Sequence, residues 1–203
     1  MRSVVSVLKP LVFAAALVPA AALARRFYTG DLTANPTEYI TDQTGSWAIT
    51  FLMISLSVTP IRRLTGWNAV VRLRRMLGLF AFFYALLHML TWLVFYHFFD
   101  LSTMGEDVFE RPFITVGMAT FTILFVLALT SNAFAVRRLG RKWQSLHRLV
   151  YAAAVGAVIH FWWAVKADTT EPVRWALLLA GLLGLRVWWA ARRRAARRVP
   201  VST

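Results

Sequence analysis

Residues 76–95, MLGLFAFFYALLHMLTWLVF, form an apolar run with a single ionisable side chain inside it, His88. A run of about 20 apolar residues crosses the hydrocarbon core of a bilayer as one α-helix. A titratable group at membrane depth is costly, so it marks a pathway or a bound group. A second run, residues 146–163, LHRLVYAAAVGAVIHFWW, opens on His147 and carries His160 near its close. Imidazole is a common axial ligand of haem iron. The two runs together read as a membrane cytochrome.

The composition agrees. The chain has 203 residues, 59% of them hydrophobic, and a mean hydropathy of +0.58. That is too apolar for a soluble domain and points to a polytopic all-α membrane bundle. Six apolar segments can be drawn, at 8–24, 46–61, 76–98, 113–132, 146–165 and 172–191, making one transmembrane domain of residues 1–203. A nucleotide or flavin domain would need on the order of 100 further residues. Any substrate-converting domain is therefore expected on another polypeptide. The chain has no cysteine, which excludes thiolate-held iron–sulfur clusters, CxxCH haem attachment and disulfides. A haem here is non-covalent b-type haem.

Charge supplies the topology. The formal net charge is +14, which in a soluble protein would suggest nucleic acid. Here the basic residues gather at one set of segment ends: Arg2, Lys9, Arg62, Arg63, Arg72, Arg74, Arg75, Arg137, Arg138, Arg141, Lys142, Arg148 and the tail Arg192, Arg193, Arg194, Arg197 and Arg198. Asp31, Glu38, Asp42, Asp100, Glu106, Asp107, Glu110, Asp168 and Glu171 all fall at the other end, with Arg25, Arg26, Arg111, Lys166 and Arg174. Arg186 falls within the last segment. The positive-inside rule then puts both termini in the cytoplasm and the acidic end in a bacterial periplasm. A nucleic-acid partner is not expected. Segment 8–24 also carries signal-peptide features, including Ala22-Leu23-Ala24. It is read as a retained anchor, and cleavage would leave the other spans in the same orientation.

Pro10, Pro19, Pro60, Pro112 and Pro172 stand near segment ends, and no repeat of convincing length is evident. Trp162, Trp163 and Trp175 read as part of an outer interfacial belt.

Depth selects the histidines. At about 1.5 Å per residue, His88 lies about 18 Å from the inner end of its segment and His160 about 21 Å from the inner end of its own. Matching depth on two helices suits one iron held from both sides. His147 lies near the inner boundary, about 20 Å below His160 along an ideal helix, the spacing of a second haem. Ideal rotation would turn His147 and His160 to different faces, so a distortion is required, and Gly156 is a candidate for it. His97 reads as interfacial rather than as a ligand. Tyr84, Thr91 and Tyr151 are candidate partners for the distal imidazole nitrogens. Arg74, Arg75 and Arg148 serve topology, and such a cluster also suits propionate or phosphate groups.

Residues 74–92, RRMLGLFAFFYALLHMLTW, and 143–163, WQSLHRLVYAAAVGAVIHFWW, resemble the third- and fifth-helix signatures of the MsrQ family. That family comprises haem-binding membrane subunits of the periplasmic protein-methionine-sulfoxide reductase system, in the ferric-reductase-like transmembrane group. The resemblance covers nearly the whole chain and is most specific from Arg62 to Trp163. It implies His88, His160 and His147 as haem ligands, one haem b or two, and FMN as a further cofactor. It also implies electron input from the quinone pool or a cytoplasmic flavin donor. Electrons would leave for a periplasmic, molybdopterin-containing, MsrP-like catalytic subunit, where methionine sulfoxide is reduced. Larger members of the group carry two histidines on each of two helices, whereas this chain has Arg74 and Arg75 where the fourth would stand. Two other functions compete: a self-contained quinol-oxidising or ferric-reductase-type cytochrome, and a haem-free transporter that uses its histidines for protons or metal.

Overall fold

A computed structural model describes residues 2–165 and 167–196. Lys166, Arg197 and Arg198, assigned above to the two ends, lie outside the described residues. All the regular structure described is helical: α1 (Arg2–Thr29), α2 (Pro36–Thr65), α3 (Arg74–Thr91), α4 (Leu101–Glu110), α5 (Pro112–Leu129), α6 (Ala133–Leu139), α7 (Arg141–His147), α8 (Val150–Ala164) and α9 (Thr170–Ala196). A 3₁₀ segment, Asn68–Leu73, leads into α3, and a π turn, Trp92–Tyr96, closes it.

Local chemistry sets the helix ends. Asn35 caps α2 by accepting from the Glu38 N–H, with Pro36 as its first residue; Asp100 and Asn132 cap α4 and α6 in the same way. Gly66 ends α2 in the left-handed conformation, φ 71°, with its N–H on the Arg62 carbonyl. Before α9, hydrogen bonds from Thr170 hold the Asp168 carboxyl below the ordinary carboxylate range.

Five helices or helix runs are long and apolar enough to cross a membrane: 6–29, 36–65, 68–96, 112–129 and 170–196. The sixth expected segment, 146–165, is not one continuous helix. It breaks at Arg148–Leu149 into α7 and α8, and α8 has 15 residues, about 22 Å of helix. The distortion anticipated at Gly156 thus falls before α8 instead. Gly156 is helical and has the Thr120 side chain against it.

The helices extend well past the apolar segments, so Pro10, Pro19 and Pro60 lie inside helices rather than near their ends. Each removes one ladder donor. Pro60 cannot donate to the Leu56 carbonyl, and Leu56 is buried among packed helices, 1% exposed. The Arg186 Nη2 fills that place, donating to the Leu56 carbonyl at 2.6 Å, while Nη1 donates to the Tyr151 hydroxyl at 3.0 Å. This accounts for a cation within the last span. Its Nε is buried without a partner.

Two helix pairs carry the bundle. In the first, Leu52, Met53 and Leu56 of α2 and Leu77, Ala81 and Tyr84 of α3 belong to one buried core. Phe51 stacks on Tyr84 with ring centroids 5.3 Å apart. In the second, Ala153 and Ala154 of α8 are fully buried, and small residues there let α5 approach closely. Tyr84 also ties α1 to the core: its hydroxyl donates to the Ala16 carbonyl at 2.7 Å and accepts from the Ala20 N–H at 3.1 Å. Trp162 and Trp163 are exposed as a belt requires, but Trp175 packs against the core.

Candidate metal centre

The bundle brings His88 of α3 and His160 of α8 together. Their ring centroids are 6.0 Å apart and the ring planes lie at 80°. Each imidazole is fixed by a backbone carbonyl of the helix paired with its own. His88 Nδ1 lies 3.0 Å from the Thr41 carbonyl oxygen of α2, and His160 Nδ1 lies 2.7 Å from the Phe113 carbonyl oxygen of α5. A carbonyl can only accept, so both Nδ1 atoms carry the proton. Both Nε2 atoms are left with lone pairs, the tautomer a metal-ligating histidine requires.

The donor set indicates the kind of metal. Among the described residues no three His, Asp or Glu side chains converge on a metal position, so zinc or another ion needing three or four protein ligands is not accommodated. Two facing imidazoles suit haem, whose macrocycle would supply the remaining ligands of the iron. Metal–imidazole bonds are about 2 Å long, and adding the distance from nitrogen to ring centre puts two axial rings about 6 Å apart. The observed separation fits. The expectation of matched depth for His88 and His160 is therefore realised as direct proximity.

His147 is not brought to that pair. It ends α7 at the basic end, stacks on Trp143 with centroids 3.9 Å apart, and its Nε2 meets the Thr130 hydroxyl at 3.1 Å. Trp143 Nε1 in turn donates to the Thr130 carbonyl.

Comparison with known proteins identifies the family. The family described as ferric reductase like transmembrane component matches residues 44–158, a stretch that holds His88 alone of the facing histidines. A Herminiimonas arsenicoxydans protein named protein-methionine-sulfoxide reductase haem-binding subunit MsrQ is 50% identical over 193 residues, covering 94% of this chain and 88% of its own. The Bordetella pertussis protein of that name is 50% identical over 198 residues, with 94% of each chain covered. The Rhodospirillum rubrum one is 48% identical over 190 residues, covering 93% of this chain and 91% of its own. The chain belongs to the MsrQ family. It is a multi-pass helical membrane protein of the ferric-reductase-like transmembrane group. No solved structure matches it.

For an MsrQ-family chain, the partners of the distal imidazole nitrogens differ from those the sequence suggests. Tyr84 bonds to α1, Tyr151 accepts from Arg186, and Thr91 donates to the His88 carbonyl rather than to its ring. Backbone carbonyls do the work instead, and a carbonyl has no residue signature. One signal was available. The carbonyl residue precedes its histidine by 47 positions in both cases, and a glycine, Gly45 or Gly117, follows each carbonyl residue four positions later.

Of the basic residues near the other end, Arg74 is half-buried while Arg75 and Arg148 are exposed. At the acidic end His97, expected to be interfacial rather than a ligand, is buried against α4. Its Nε2 and Nδ1 lie 3.0 Å from an Asp107 carboxylate oxygen and the Thr103 hydroxyl, and Asp107 also pairs with Arg111 at 3.1 Å. Phe98 and Phe99, both at positive φ, turn the chain from α3 into α4.

Proposed function

We propose that this chain is a b-type cytochrome of the bacterial inner membrane. Its termini are cytoplasmic, and it passes electrons from the quinone pool, or from a cytoplasmic flavin donor, to a periplasmic partner. The partner is a molybdopterin-containing, MsrP-like subunit that reduces methionine sulfoxide in oxidised envelope proteins. The observation that carries this reading is the facing pair His88 and His160, each with Nδ1 on a backbone carbonyl and Nε2 free. The names of the MsrQ relatives support the haem and the sulfoxide reductase.

His88 and His160 would hold the iron, and haem supplies a one-electron redox couple in an apolar sheath. The chain's own part is to present two neutral imidazoles, to fix their rotation through Thr41 and Phe113, and to exclude water with the surrounding helices. His147 would ligate a second haem near the basic end by exchanging the Thr130 hydroxyl on its Nε2 for iron, and Arg74 would meet a propionate there. FMN, if bound, would take its phosphate to the same basic end. Sulfoxide reduction itself takes place on the partner.

The test is a reduced-minus-oxidised spectrum with pyridine-haem quantification on purified protein. The expected result is a b-type signal that disappears in His88→Ala and His160→Ala. Wild type free of haem after growth with ample haem would reject the cytochrome and return the histidines to a transporter reading. Electron delivery from a reduced quinol analogue to a co-purified molybdoenzyme checks the partner. A haem protein that instead reduces ferric iron alone would be the self-contained cytochrome.

A further inference from the structure

The two imidazole sites are built from the same three parts. In each, a helix carbonyl is followed one turn later by a glycine, and a histidine from the paired helix lies against both. A Cβ points back toward the N-terminus of its helix, so a side chain at position 45 or 117 would hang over the carbonyl at 41 or 113. A Cβ built on Gly45 would stand 3.1 Å from both Nδ1 and Cε1 of His88. On Gly117 it would stand 2.7 Å from Nδ1 and 2.8 Å from Cε1 of His160. The first contact is tight enough that the ring must give by a few tenths of an ångström. The second cannot exist unless the ring or the helix moves.

We infer that Gly45 and Gly117 are positioning residues for the two axial imidazoles, each opening a socket that lets a ring reach the carbonyl one turn behind it. The inference rests on the haem reading above.

The sockets are unequal. The Thr41 carbonyl also accepts from the Thr44 hydroxyl at 3.0 Å, and its contact with His88 is 3.0 Å. The Phe113 carbonyl has no competing side-chain donor among the described hydrogen bonds, and its contact with His160 is 2.7 Å. A stronger Nδ1–H···O bond makes the imidazole a more basic ligand. The Phe113 contact is the shorter of the two, and the tighter glycine is the one that guards it.

The experiment compares Gly45→Ala, Gly117→Ala and Gly78→Ala in the full-length, haem-loaded protein. Gly78 is the control, because a Cβ there meets only Ser55 Oγ at an ordinary 3.5 Å. The readouts are haem affinity by titration of the haem-free protein, the low-spin EPR g values, and the midpoint potential. Gly117→Ala is expected to lose about 10- to 100-fold in haem affinity, the usual cost of an outer-shell partner. Gly45→Ala is expected to keep its haem with shifted g values and a raised potential, since a weaker hydrogen bond makes a less basic ligand. Gly78→Ala should match wild type in all three. Unchanged affinity, g values and potential in both alanine variants would overturn the sockets. If Gly117→Ala fails to accumulate, Gly45→Ala decides alone, and unchanged values there overturn the inference. Failure of the haem reading looks different: wild type would bind no haem, or would keep it without His88 and His160.

Discussion

Arg186 and Pro60 form a pair that can be tested by a double-mutant cycle. Pro60 leaves the Leu56 carbonyl without its helical donor, and Arg186 supplies one from another helix at 2.6 Å. The perturbations are Arg186→Met, Pro60→Ala and both together. Methionine keeps most of the stem length and removes the charge. Pro60→Ala restores the N–H that the Leu56 carbonyl lacks. The single change at 186 mixes several effects: two hydrogen bonds are lost, at about 1.5–3 kcal/mol each for a charged donor, and a costly intramembrane cation is relieved, at about 2.5 kcal/mol or more on insertion scales. These oppose each other with overlapping ranges, so that one number decides nothing. The coupling energy is cleaner, because the relief of charge and the loss of the Tyr151 bond are common to both backgrounds. What remains is the carbonyl, for which membrane cycles give about 0.6 kcal/mol on average and about 1.7 at most. We expect Arg186→Met to cost about 1 kcal/mol more in the wild-type background than in the Pro60→Ala background. The assay is equilibrium unfolding by SDS in mixed micelles, followed by far-UV circular dichroism. A coupling within about 0.3 kcal/mol of zero, the scatter of independent sites, would refute the role given to Arg186.

Tyr84→Phe keeps the ring stacked on Phe51 but removes the hydroxyl's bonds to the Ala16 carbonyl and Ala20 N–H, which as an i, i+4 pair of α1 keep each other as partners, and should cost about 0.5–1.5 kcal/mol; faster proteolysis within α1 would report it, and unchanged kinetics would contradict it. Gly156→Ala places a Cβ against the Thr120 hydroxyl and should destabilise by about 1–3 kcal/mol through overpacking, with Thr120→Ala restoring most of the loss in the same unfolding assay. His147→Ala should leave the His88–His160 haem signal intact and remove only a second haem's share in pyridine-haem quantification; loss of the whole signal would show that the two ends of the bundle are not independent.

The parts legible in the sequence were those encoded by side-chain type. Apolar runs gave the spans, charge asymmetry separated a basic from an acidic end, and depth arithmetic placed His88 beside His160. Helix rotation called for a distortion between His147 and His160, but its place at Arg148–Leu149 was not legible, because nothing in LHRLVY forbids a continuous helix. Pro60 read as a segment end because its cost is met by Arg186, a residue far away in the sequence. The imidazole partners were hidden for a different reason: Thr41 and Phe113 contribute main-chain oxygen, so their side chains say nothing of the role. Gly45 and Gly117 were visible as letters but meaningless until each was set against its histidine.

One consequence of the doubled helix pair concerns how such a centre can be adjusted. In a symmetric homodimer every substitution falls on both ligands at once. Here one chain carries both halves, and their acceptors already differ: Thr41 shares its oxygen with Thr44, while Phe113 has no hydroxyl beside it. A single codon can therefore retune one imidazole and leave its counterpart untouched.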